Sequence, residues 1–390
     1  MSQILDRVLS AARQLGASDV HLKAGLPPIF RIKGDLRTIR EVKILSRELL
    51  AEFAEHMMND RQRADFEQHL DLDLAYSTAD GERYRVSLFQ QRGSVGMVLR
   101  LIPPDVPPLD RLNLPQAVLD LTGHPRGLIL VTGAAGSGKS TTLAAMLDHI
   151  NTQRACHIIT VEDPIEYALR DKRSVLSQRE LGFDTMSFSR ALRAALRQDP
   201  DVILVSELRD RETAELALTA AELGHLVLSS LPAVDVCDTV TRVVELFPVH
   251  QQLQARRTLA SVLRGVISQQ LLPRADGAGM VPALEVLVND DRIRELIEDP
   301  SRASELRAAV AEDLQPRGMM TFDRSLANLV KQRLVTYEAA VAHTTRPSDF
   351  ALQFRGASAS PHPGWANGHV ALAANPGAGH DEIENKTSGK

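Results

Sequence analysis

The 390-residue chain has only two cysteines, no long apolar run and no strong charge of either sign. Cys156 and Cys237 lie far apart and form no CxxC pair, which argues against a disulfide framework and a zinc ribbon and fits a reducing cytoplasm. No apolar stretch approaches the roughly 18 residues of a bilayer span. The N-terminal MSQILDRVLSAARQLGASDVH breaks its apolar positions with charges, so neither a signal peptide nor a membrane-spanning segment is expected. A net charge of −5 offers no footprint for nucleic acid or a membrane surface. The sequence has no internal repeat, and its length exceeds what one hydrophobic core usually serves.

Against that background one stretch carries chemistry. Gly133-Ala134-Ala135-Gly136-Ser137-Gly138-Lys139-Ser140, followed by Thr141, is a complete GxxxxGK[ST] phosphate loop. The apolar run Leu128–Val131 before it reads as a buried strand, and Leu143, Met146, Leu147 and Ile150 after it fall at the i, i+3, i+4, i+7 spacing of a helix. A helix that starts there turns its unpaired N–H groups and positive dipole end toward an anion. The glycines let the backbone curl around phosphate, Lys139 is placed for the β/γ oxygens of ATP, and the Ser140 hydroxyl for Mg²⁺.

Carboxylates beyond the loop decide whether hydrolysis is expected. Glu162-Asp163-Pro164-Ile165-Glu166 follows the apolar strand His157–Val161, and Glu207 follows the strand Asp201–Val205, so both would reach the ligand-binding edge of an α/β sheet. One acid could hold Mg²⁺ through water while another orients or deprotonates the attacking water.

Residues 1–101 mix an amphipathic helix (Ile4, Val8, Ala11, Leu15) with short strands such as Ile29–Ile32 and Tyr84–Phe89. Prolines mark 102–125 as a linker. Residues 126–289 alternate β-rich runs (Leu128–Val131, Ile158–Val161, Val202–Val205, Leu226–Leu228) with helical segments, the pattern of a doubly wound sheet. Short helices are expected over 290–354, and a disordered tail rich in Gly, Ala, Ser and Pro over 355–390.

The ordered set TGAAGSGKSTTLAAMLDHIN, ITVEDPIEY, DPDVILVSELRDRET and TAAELGHLVLSSL resembles the retraction ATPases of bacterial type IV pili, the PilT and PilU family within the secretion-ATPase superfamily. GASDVHLKAGLPPIFRIKGDLR looks like the start of that family's PAS-like N-terminal domain, and GMMTFDRSLANLVKQRLVTYEAA like its C-terminal helices. The resemblance covers residues 5 to about 354. It implies a RecA-like P-loop ATPase domain behind a PAS-like α+β domain, and a cytoplasmic Mg²⁺-ATPase in a hexameric ring with ATP between subunits. Such a ring would sit peripherally on an inner-membrane pilus platform, with a paralogous retraction ATPase as a further possible partner and no nucleic acid. By the same resemblance Glu162 is the Asp-box glutamate, Glu207 the Walker B glutamate and His225 the first His-box histidine. Arginines of the N-terminal domain are expected to complete the site, drawn from Arg83, Arg85, Arg92 and Arg100, with Arg85 and Arg100 taken as candidates.

Three positions depart from the pattern. Pro232 replaces the second His-box histidine and has neither a side-chain donor nor a backbone N–H. Ser206 stands where a glycine precedes the Walker B acid, and Ala309–Arg317 lacks the glycine-rich segment associated with PilT. That last departure, with the TFDRSL…TYEAA ending, leans toward PilU, and an accessory ring of weak or no activity is the alternative reading.

Overall fold

The computed structural model describes residues 2–351 except 33, 39–43, 79, 103, 104, 313–316, 345, 346 and 349. The expected tail, 355–390, lies outside the described residues, as does part of Ala309–Arg317.

The N-terminal part is a six-stranded antiparallel sheet built from β1 (Ala17–Leu22), β2 (Ile29–Ile32), β3 (Asp35–Thr38), β4 (Asp71–Ser77), β5 (Arg83–Gln91) and β6 (Ser94–Ile102). Its order is β3-β2-β1-β6-β5-β4. Alternation drives it: Tyr84, Val86 and Leu88 of β5 are buried while their neighbours are not. Helix Ser2–Gln14 covers the sheet with Leu5, Val8, Leu9 and Ala12, and helix Arg47–Met57 does so with Leu50, Phe53, Ala54 and Met57. β5 and β6 meet at a tight turn in which Arg92 and Gly93 both take positive φ, 49° and 72°, matching the twist of the strands they join.

The second sheet holds β7 (Gly127–Thr132), β8 (His157–Glu162), β9 (Val175–Glu180), β10 (Val202–Val205), β11 (Leu226–Leu231), β12 (Leu263–Pro273) and β13 (Met280–Val288). The order is β13-β12-β7-β11-β10-β8-β9, parallel throughout except for β13, which runs antiparallel to β12. Every residue of β7 is buried, as a strand covered on both faces requires. Leu128 and Leu130 enter one core and Ile129 and Val131 the other, with helices over each. The expected strands 128–131, 158–161, 202–205 and 226–228 are all present; β9, β12 and β13 were not anticipated.

One expected boundary needs correction. The stretch 102–125 is not linker throughout, because helix Gln116–Thr122 buries Ala117, Val118 and Leu121 in the core that also receives Ile129. Beyond β13, Val286 and Met320 exchange backbone hydrogen bonds, and helix Phe322–Lys331 buries Phe322, Leu326 and Leu329. No helix among the described residues is long and apolar enough to cross a membrane.

Candidate functional site

In a parallel sheet the strands' carboxyl ends open on one edge, and β7, β8, β10 and β11 there enclose a cavity of ≈570 Å³. The loop after β7 forms its floor. Gly133 has φ +144°, and a Cβ on it would lie 2.4 Å from the Gln269 carbonyl oxygen and 2.5 Å from Ser137 Oγ. At Gly138, φ is +89° and the added atom would meet Gln269 Nε2 at 2.8 Å. Only glycine fits either position. Gln269, on β12, braces the loop from beneath: its Nε2 donates to the Ser137 carbonyl and its Oε1 accepts from Thr142 Oγ at 2.9 Å.

Helix Lys139–Gln153 starts directly from this loop with Gly138 as its N-cap and no side chain capping it. Its first N–H groups are therefore available to an anion. Lys139 folds back so that Nζ donates to the carbonyls of Gly133 (3.0 Å) and Ala134 (2.9 Å). Burial lowers the pKa of that ammonium, while Glu207 and Glu166 oppose the shift. Ser140 Oγ donates to Glu166 Oε1 at 2.9 Å, and Thr141 Oγ1 pairs with Tyr167 OH at 2.9 Å.

The two strand-end acids differ in setting. Glu162, the last residue of β8, is buried and accepts from Thr160 Oγ1 (2.6 Å) and Gln178 Nε2 (2.9 Å). Burial pushes its carboxyl above the ordinary range, the two hydrogen bonds pull it back, and Glu166 and Glu180 push in the same direction as burial. Glu207, beyond β10, is more open and accepts from Arg209 Nε at 2.7 Å. Arg209 also reaches Asp163 through Nη1 at 2.5 Å. Ser206, Ser230 and Pro232 complete the wall.

The structure thus gathers Ala135, Gly136, Gly138, Lys139, Ser140, Thr141, Glu162 and Glu207 around one cavity, with Gly133, Ala134 and Ser137 shaping the loop behind. His225 is not brought there. It precedes β11, its carbonyl accepts from Gly127 N, and its Nδ1 lies 2.7 Å from the Pro200 carbonyl. A six-residue strand separates it from Pro232's edge, roughly 20 Å at ~3.3 Å per residue, so the expected catalytic histidine does not line the cavity of its own chain. Arg85 and Arg100 do not line the cavity of their own chain either. Arg85 pairs with Asp73 at 3.4 Å and Arg100 with Asp19 at 2.8 Å, both inside the N-terminal sheet. Arg92 lies in the β5–β6 turn and does not line the cavity of its own chain. Arg83 alone of the four crosses to the second sheet, where Nη2 meets the buried Glu180 at 2.8 Å.

Sequence reasoning named Glu166 only within the acidic stretch 162–166 and did not single out Arg209, Gln178 or Gln269. The signal for Arg209 and Glu166 was proximity to acids already selected; Gln178 and Gln269 were hidden in strands that went unrecognised.

A doubly wound sheet with a glycine loop opening a helix and two acids on adjoining strand ends, behind an antiparallel α+β domain, is the architecture of a RecA-like ATPase with a PAS-like N-terminal domain. The chain belongs to the type II/IV secretion system protein family, whose model matches residues 1–281. It is 41% identical over 346 residues to the type IV pilus retractation ATPase PilT of Pseudomonas aeruginosa, covering 89% of this chain and 99% of that one. With the type IV pilus ATPase PilU of the same organism it shares 38% identity over 355 residues, covering 91% and 92%. A crystal structure of the pilus retraction motor PilT with bound ADP superposes with a TM-score of 0.81 at 43% identity, covering 88% of this chain and 97% of that chain. The lean toward PilU is not favoured by these likenesses.

Proposed function

We propose that this chain is a Mg²⁺-dependent P-loop ATPase that powers retraction of type IV pili. The observation that carries the reading is the convergence of Lys139, Ser140, Glu162 and Glu207 on one cavity, in a chain similar over most of its length to PilT. The β- and γ-phosphates of ATP would lie on the loop's N–H groups, and Lys139 would exchange the carbonyls of Gly133 and Ala134 for phosphate oxygens. The cavity lining offers carboxylates and hydroxyls and no cysteine, histidine or methionine, which suits Mg²⁺ rather than a softer metal. Among the described residues no three acids, histidines or cysteines are grouped to hold a metal unaided. Ser140, Glu162 and Glu207 are the residues that would hold the ion. Bound there, Mg²⁺ would neutralise charge on the transferring phosphoryl group.

Glu162 and Glu207 divide the remaining work. Glu207, the more open of the two, would orient the attacking water and accept its proton. Glu162, buried and held by Thr160 and Gln178, keeps its position at the rim of the metal site. Lys139→Ala should abolish nucleotide binding and turnover. Glu207→Gln should retain ATP affinity while losing turnover, because shape is kept and charge removed.

The rest of the reading concerns assembly. Residues 1–101 act as the PAS-like domain, 126–289 as the ATPase domain and 290–354 as a helical appendix. Arg85 and Arg100 do not line their own cavity, which suits contacts to nucleotide across a subunit boundary in a hexamer. Such a ring would work at the cytoplasmic face of the inner membrane on a platform protein, with or without a paralogous ATPase. ATP held between copies would favour the assembled state. Light scattering with and without Mg-ATP, beside a turnover assay, tests this: a protein that stays monomeric in every nucleotide state refutes the ring.

A further inference from the structure

Arg209 stands two residues past Glu207, ahead of helix Arg211–Glu222, and lines the cavity. Its fork spans acids delivered by two different strands, with Nε 2.7 Å from Glu207 Oε2 and Nη1 2.5 Å from Asp163 Oδ2. The guanidinium carbon also lies 5.8 Å from the centre of the Phe188 ring, a distance at which a cation is attracted to an aromatic face.

We propose that Arg209 is a positioning residue for hydrolysis: it fixes the Glu207 carboxylate at the cavity wall by hitching it to Asp163, so that the acid keeps its place toward the attacking water. This rests on the ATPase reading above. The two acids of the site are held in different ways. Glu162 is fixed by burial and two neutral donors. The side chain of Glu207 is 28% exposed, too open for packing alone to select one rotamer. Among the described residues Arg209 is the side chain that hydrogen-bonds and ion-pairs with Glu207. A planar fork anchored at both ends restrains the acid's direction as well as its charge, which a single ammonium cannot do. The anchor matters because a small displacement of a catalytic group can cost about 100-fold in rate.

The test separates fork from charge. In the full-length protein with Mg-ATP, Arg209→Lys keeps the positive charge and loses the two-pronged hold. Expected are ATP affinity within about threefold of the parent, measured by competition with a fluorescent analogue, and kcat lower by about tenfold or more. A melting temperature close to the parent's is also expected, since the side chain is nearly half exposed. Arg209→Gln, which keeps planar donors without the charge, should lose more turnover than Arg209→Lys.

If Arg209→Lys turns over within about threefold of the parent, charge suffices and the positioning role is overturned. If affinity falls as far as kcat, the residue serves binding and the role is equally overturned. A loss of turnover matched by the fraction of protein unfolded would mean a structural role only. A parent that does not hydrolyse ATP refutes the ATPase reading itself, whereas an active parent with an equally active Arg209→Lys refutes only the role of Arg209.

Discussion

Glu285 should make this protein less stable at neutral pH than its fold allows, and Glu285→Gln should remove the defect. The residue sits on β13 and is 5% exposed; its Oε2 accepts from the Val236 N–H at 3.0 Å, where helix Val236–Glu245 begins. Burial pushes its carboxyl up from the ordinary 4.5 to about 7; Asp235 and Asp323 add to the rise, and the Val236 N–H and Arg307 oppose it. The folded state therefore binds the proton more tightly than the unfolded chain. The stability this contributes is fully present below pH 4.5 and is lost as pH rises through about 7. At 1.36 kcal/mol per pH unit the gap amounts to about 3 kcal/mol, an upper figure for what ionisation costs the fold at pH 8. Glutamine keeps the shape and a carbonyl for the Val236 N–H, and it cannot ionise. Thermal melts from pH 5 to pH 8 should show parent and variant close together at pH 5. At pH 8 the variant should melt higher by on the order of 5 °C. Parallel pH profiles for the two proteins would refute the reasoning, because the penalty would then belong to other groups.

Two further substitutions test the loop and its wall. Gly133→Ala should weaken ATP binding and lower stability by about 1–3 kcal/mol, since the new Cβ would press on the backbone oxygen of Gln269; calorimetric melts and nucleotide titration check both. Pro232→His should raise turnover at unchanged melting temperature, because it adds a donor to the cavity wall where the parent has none; equal rates in two equally stable proteins would show that hydrolysis does not use this position.

The parts of the fold legible in the sequence are those dictated by local pattern. The apolar runs 128–131, 158–161, 202–205 and 226–228 mark strands buried on both faces, and the phosphate loop placed one edge of the sheet without ambiguity. β9 escaped because Val175–Glu180 is an edge strand whose middle residues, Ser177, Gln178 and Arg179, are polar and partly exposed. β12 carries Ser268, Gln269 and Gln270 in its middle, polar positions that make sense only once the loop above them is known. For the site, Glu162 and Glu207 were legible from strand ends, whereas His225 was drawn in by motif alone, and the register of β11 against β7 sends it to the opposite edge. Arg209 belonged to a quoted motif, yet nothing in its spacing reveals that it bridges acids 44 positions apart, Asp163 and Glu207.

The contact between Arg83 and Glu180 has a mechanical meaning. Glu180 is 3% exposed and also lies 3.4 Å from the Ile165 N–H, in the segment that carries Asp163 and Glu166. It is thus a rivet between the N-terminal sheet and the acid-bearing rim of the ATPase cavity. Parting it would leave a carboxylate buried without its countercharge, at a cost on the order of 3–5 kcal/mol. Torque on the N-terminal sheet would therefore reach the acid-bearing rim through a buried charge pair, a stiff linkage rather than a slack one.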